Sequence, residues 1–263
     1  MPPAPTTAPM TSPIPSEPRT IALYHAAPRG WLAVWLALGG LAAMFLVQFA
    51  LVIARAPVEL LLGGSFGAAI VLLVLATRPL PGALGVRPVP ARFIAAGVLV
   101  GGASWYLRAR LADLFTLPGD MKGLEQAAAE PNLIVSLLVV AVLPAIAEEL
   151  IFRGVIARSL ARHSQVLAIA ASSVLFAGYH VLPIQIVAVF PFGLALGFIA
   201  VRADSIVPTM IAHAINNAIA ILIARNDLGS LPIAIDARPQ LSLALSSVVV
   251  ACGLALAWKA APA

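Results

Sequence analysis

The chain has 263 residues, of which 61% are hydrophobic and only 10% charged. Soluble domains carry about 25% charged residues, so a water-soluble fold of this size is excluded and lipid is the expected solvent. The net charge of +5 does not indicate a nucleic-acid partner, because the basic residues stand singly between apolar runs and form no patch.

Residues 1–30 hold eight prolines and no apolar periodicity, which predicts a disordered Pro-rich tail. The first apolar run, Trp31 to Ala54, is too long for a signal-peptide core and long enough to span a bilayer. Further runs follow at Leu60–Thr77, Phe93–Leu107, Leu133–Ala147, Val166–Leu182, Ile184–Val201, Ile206–Ala224 and Leu241–Trp258. The fourth continues in helical character through Leu150–Leu160. The expectation is an all-α, polytopic helical bundle of about eight transmembrane helices, forming a single domain over 31–258. Cys252 is a lone cysteine in the last run and has no partner for an internal disulfide. With the N-terminus inside, Lys and Arg divide ten to six in favour of the cytoplasmic segments, so both termini are expected in the cytoplasm. That count places Arg153 and Arg158 on the cytoplasmic side and Arg108 and Arg110 on the outer side.

Polar residues inside the apolar runs carry the chemistry. Nine of the eleven acids lie in the tail or loops; Glu148 and Glu149 do not. An ionised side chain at a helix centre costs about 2.5–3.5 kcal/mol on insertion scales, so such residues are retained for a reason. Glu149 precedes Arg153 by four, the favoured order for an ion pair on one helix face. Glu148 has Phe152 at the same spacing and no local cation. A carboxylate left unpaired in apolar surroundings suits a general base near neutral pH. Two further clusters are Phe176-Ala-Gly-Tyr-His180 and His213-Ala-Ile-Asn-Asn217, the latter pairing His213 and Asn217 on one face. A turn near His163–Ser164 places Glu148 and His180 at equal depth, roughly 23–24 Å from it at 1.5 Å per residue. His213, roughly 12 Å from the turn at Ser205, reaches that level if the first hairpin projects about 10 Å further.

The three clusters, in this order, resemble the motifs of the CPBP family, the CAAX proteases and bacteriocin-processing enzymes: Glu-Glu-x-x-x-Arg, then Phe-x-x-x-His, then His-x-x-x-Asn. The resemblance covers about residues 133–220. It implies an intramembrane endopeptidase similar to type II CAAX prenyl proteases, with a site open to the cytosol. It further implies that Glu148 and His180 activate a water, and that His213 and Asn217 stabilise the oxyanion. Glu149, Arg153 and Phe176 are then supporting residues. The partners implied are a peptide or protein substrate, lipidated or bacteriocin-like, and membrane lipid, in a bacterial cytoplasmic membrane.

Zinc is the alternative cofactor. Glu148, His180 and His213 are three ligands with an open position. The local His-Glu-x-x-His signature is absent, however, so a metal-free site is favoured. Gly63-Gly-Ser65-Phe-Gly67 formally matches a serine-hydrolase elbow, but it lies in a helical run where small residues mark close packing. A proton-coupled transporter or a non-catalytic membrane scaffold is the competing class, since intramembrane Glu, His and Arg also build proton relays.

Overall fold

The computed structural model describes residues 26–115 and 132–258. Most of the expected disordered tail lies outside them. The described residues form helices joined by turns and loops and contain no strand. In chain order the helices are α1 (Gly30–Ile53), α2 (Val58–Thr77), α3 (Ala91–Asp113), α4 (Leu133–Ala161), α5 (Gln165–Tyr179), α6 (Pro183–Ala203), α7 (Val207–Ala224), the short α8 (Leu231–Asp236) and α9 (Pro239–Trp258).

Each predicted apolar run falls in one of these helices. Six of them (α1, α2, α4, α6, α7 and α9) are long and apolar enough to cross a membrane. The two that fall short do so for different reasons. α3 is long but carries Arg92, Arg108 and Arg110, and α5 is only 15 residues. The chain is an integral membrane protein. The outward faces expose large apolar side chains, among them Trp31, Trp35 and Phe49 on α1, which water would penalise and hydrocarbon does not.

α4 runs through the middle of the bundle. It packs on α1, α2, α5 and α7 and touches α6, while α3 and α9 close the far side against α6 and α7. α4 is not a uniform α-helix. Leu137–Val142 and Glu149–Ala157 are π-helical, so the Leu143 N–H donates to Leu138 and the Arg158 N–H to Arg153, five residues back. Pro144 lies between the two stretches and has no N–H to donate to Val140. The Val140 carbonyl accepts from Asn217 Nδ2 on α7 at 3.4 Å, which restores a partner to a carbonyl that the proline cannot serve. π-turns of this kind recur at functional sites, where they re-aim side chains.

Close approach of α3 to α7 depends on two glycines one turn apart. A Cβ on Gly97 would fall on the carbonyl of Pro208, and one on Gly101 on the backbone of Ala212, the residue before His213. Small residues at this spacing let membrane helices meet backbone to backbone. Gly101→Ala should therefore lower the thermal unfolding midpoint in detergent, by an amount corresponding to about 1–3 kcal/mol of overpacking. Gly102→Ala, whose Cβ meets nothing within 4 Å, should leave the midpoint unchanged. Equal midpoints for the two variants would show that the seam relaxes at no cost.

At one end of the bundle a polar knot fixes the relative heights of the helices. Asp204, in the left-handed turn between α6 and α7, is ion-paired with Arg158 of α4 and Arg87 of the α2–α3 loop. Its carbonyl also accepts from Arg158 at 3.1 Å. Ser205 donates to the Arg87 carbonyl at 2.8 Å, and the Ile206 N–H donates to Gly85 at 3.0 Å. Arg158 is thus level with Asp204. Glu148 lies ten residues along α4 from Arg158, and His213 nine along the chain from Asp204. The tip of the α4–α5 hairpin at His163 consequently projects by about 7–8 Å, somewhat less than the 10 Å expected from sequence.

Two of the arginines counted above as flanking charges are bundle residues. Arg153 is fully buried within α4, and Arg108 is half-buried and bonded to Asn216 of α7. Charge counting fails here because an arginine near the end of an apolar run reads the same whether it turns outward or inward. Without these two, the Lys and Arg count is nine to five.

Candidate active site

The site is built where α4, α5 and α7 meet. Glu148 and Glu149 both lie buried on α4, at 5% and 0% exposure. They are neutralised differently. Arg153 Nη1 donates to Glu149 Oε1 at 2.8 Å along the helix, and both side chains are wholly enclosed. The rest of the guanidinium is held by tertiary contacts. Nη2 donates to the Gly193 carbonyl of α6 at 3.0 Å, and the group lies 4.3 Å from the centroid of Phe176. Glu148 has no such local cation. Its Oε2 is buried without a hydrogen-bond partner among the described residues, and His213 Nε2 stands 3.8 Å away.

His213 on α7 is set between the two carboxylates, with Nδ1 3.2 Å from Glu149 Oε1. An ionised carboxylate can only accept, so Glu149, paired with Arg153, requires the proton on Nδ1. That leaves Nε2 turned toward Glu148. Two rings fix the imidazole plane: Phe176 and Phe192 stand edge-on to it at 5.6 and 5.9 Å.

His180 caps the C-terminus of α5, where Val181 turns left-handed with φ 62°. The predicted run through Leu182 therefore ends at Tyr179, and His180 occupies the turn rather than a helix interior. Its Nδ1 lies 2.9 Å from the Phe176 carbonyl, an acceptor only, so Nδ1 carries the proton and Nε2 is the free lone pair. Its ring packs against Phe176 and Tyr179 at 5.1 and 5.4 Å. Phe176 is the hub of this arrangement, touching Arg153, His180 and His213 with one ring.

The structure brings Glu148, Glu149, Arg153, Phe176 and His213 into one contact network and joins His180 to it through Phe176. No hydrogen bond links Glu148 to His180 among the described residues. Asn217 is half-buried, and its amide reaches Val140 of α4. The more deeply buried amide is its neighbour Asn216, which accepts from Arg108 and donates to the Gly101 carbonyl at 3.3 Å. Arg108, Asn216 and Gly193 carried no sequence signal as site residues. Ser65 is buried in α2 and donates to the Leu61 carbonyl one turn back, so its hydroxyl is absorbed by its own helix. Among the described residues no group of three or more His, Cys, Asp or Glu side chains is arranged to hold a metal ion. Both nitrogens of His213 already face carboxylates.

Residues 130–219, about a third of the chain, match the family model described as type II CAAX prenyl endopeptidase Rce1-like. This segment is similar to the CAAX prenyl endopeptidases. The matched segment runs from the start of α4 to the middle of α7 and contains all three motif clusters. α1, α2, α3 and α9 lie outside it, so Arg108 and the Gly97–Gly101 seam reach the matched segment from the surrounding helices. No curated protein and no solved structure matches the chain.

Proposed function

We propose that the protein is an intramembrane endopeptidase in which Glu148, assisted by His180, activates a water for attack on a peptide carbonyl. The observation that carries this reading is the contrast between two adjacent buried carboxylates, one tied to arginine and the other turned to an imidazole nitrogen without a hydrogen bond. A group saturated by an ion pair has little basicity to offer, whereas Glu148 keeps an oxygen available for a proton.

In this reading Glu148 takes the proton of the attacking water and later delivers it to the leaving amine as the C–N bond breaks. His180, with Nδ1–H tied to Phe176, offers Nε2 as the second acceptor for that water. The oxyanion is stabilised by an imidazole N–H of His213 and by the Asn217 amide, which has a second hydrogen beyond the one given to Val140. Glu149 fixes the tautomer and plane of His213, and Arg153 keeps Glu149 ionised. The substrate is a peptide or protein, lipidated or bacteriocin-like, in a bacterial cytoplasmic membrane, with lipid around the apolar faces. The nine-to-five division of Lys and Arg supports cytoplasmic termini.

Catalysis is proposed to be metal-independent, because the donor geometry around His213 is one of carboxylate hydrogen bonding rather than ligation. Purified protein in proteoliposomes should cleave a peptide library, as read by mass spectrometry, and should retain its rate after chelation and dialysis. Proton flux without cleavage would make it a transporter, and neither activity would make it a scaffold. One tightly bound zinc per chain, lost and regained together with activity, would turn Glu148, His180 and His213 into ligands.

A further inference from the structure

Arg108 is a cation placed at the edge of the site by a helix outside the matched segment. Nη1 donates to Oδ1 of Asn216, whose own amide is fixed to Gly101, so the guanidinium is anchored on one side. It lies 5.4 Å from the centroid of Phe192, the ring that also stands edge-on to His213. Yet no carboxylate among the described residues stands within ion-pairing distance, and its Nε is buried without a hydrogen-bond partner. A half-buried cation with a buried, unbonded Nε is costly to fold, and that cost falls when an anion binds.

The space beside it is suited to such an anion. Arg108 lines a cavity of about 100 Å³ between α3, α6 and α9, whose other walls include Leu107, Leu111, Pro191, Ala195 and Val250. Arg108 is the charged residue among those lining this apolar recess. Phosphate would fit the charge but not the apolar walls. A carboxylate next to an apolar side chain fits both, and a guanidinium edge binds it with two parallel hydrogen bonds.

We propose that Arg108 is a specificity-determining residue that holds a carboxylate of the peptide substrate in the cavity between α3, α6 and α9. This rests on the endopeptidase reading for the meaning of substrate, and not for the binding itself. The carboxylate comes from the peptide C-terminus or from an acidic side chain, and matched peptides separate the two sources.

The experiment compares each cleaved peptide with its C-terminal amide and with its Asp→Asn or Glu→Gln version. It uses the full-length protein in proteoliposomes and reads kcat and KM separately, together with fluorescence binding to the Glu148→Gln protein. Removal of the responsible carboxylate should lower binding and raise KM at least about tenfold, the range for a charged hydrogen bond, with kcat nearly unchanged. In Arg108→Met that discrimination should fall to near one, and Arg108→Lys should restore part of it. Wild-type protein that binds acid and neutral peptides equally would overturn the proposal, without recourse to any variant. So would Arg108→Met lowering kcat and binding equally for both peptides, which is the signature of a purely structural tie between α3 and α7. Carboxylate-selective, Arg108-dependent binding in the absence of any cleavage would uphold the assignment while removing the protease reading.

Discussion

A Glu148→Gln protein should fold, insert and bind peptide like the wild type, yet hydrolyse it at least about 100-fold more slowly, within the usual range for loss of a general base. The substitution preserves shape and keeps an oxygen facing His213, but an amide cannot take up the proton of the attacking water. Size-exclusion behaviour and thermal unfolding should barely change, because no described protein group depends on Glu148 Oε2 for a hydrogen bond. The diagnostic is thus a large effect on kcat with a small one on stability. Near-normal turnover by the well-folded variant would remove Glu148 from the chemistry.

Arg153→Met should have the opposite profile and be dominated by stability. The guanidinium is wholly enclosed and meets Glu149, the Gly193 carbonyl and the Phe176 face at once. Removing it strands the Glu149 carboxylate in the bundle interior, and breaking one side of a buried pair costs about 3–5 kcal/mol. The double variant Glu149→Gln, Arg153→Met should recover part of that loss, because it leaves no uncompensated charge. Activity in the double variant should remain low, since His213 then lacks the carboxylate that fixes Nδ1. The measurement is a double-mutant cycle of unfolding in detergent, and strict additivity would show that the two side chains act independently.

The unequal pairing of the two glutamates was legible in sequence because it depends on helix periodicity alone. Four residues separate Glu149 from Arg153, and an apolar Phe152 occupies the equivalent place for Glu148. The clusters around His180 and His213 were legible for a related reason, since polar residues in long apolar runs need an explanation. What escaped is tertiary. Asn216 and Asn217 are adjacent in sequence, and only the packing of α7 decides that Asn216 meets Arg108 and Gly101 while Asn217 meets Val140. The π-helical stretches of α4 were equally hidden, because a helix deforms around Pro144 only where a neighbour compensates the backbone. Arg108 was read as a flanking charge because nothing in its local sequence says which way a terminal arginine turns.

The order in which the chain is made gives the local ion pair a role in biogenesis. α4 leaves the ribosome before α5, α6 and α7 exist, so Glu149 must partition into the bilayer without His213. At that stage Arg153, on the same helix and one turn away, is the partner it can always reach. Each charge alone would add about 2.5–3.5 kcal/mol to the insertion step, and together they enter as a neutral unit. Glu148 makes the same passage with no helical counter-ion. The nascent segment therefore carries one uncompensated acid rather than two, and a variant lacking Arg153 would meet its first penalty at the translocon, before there is any tertiary structure to destabilise.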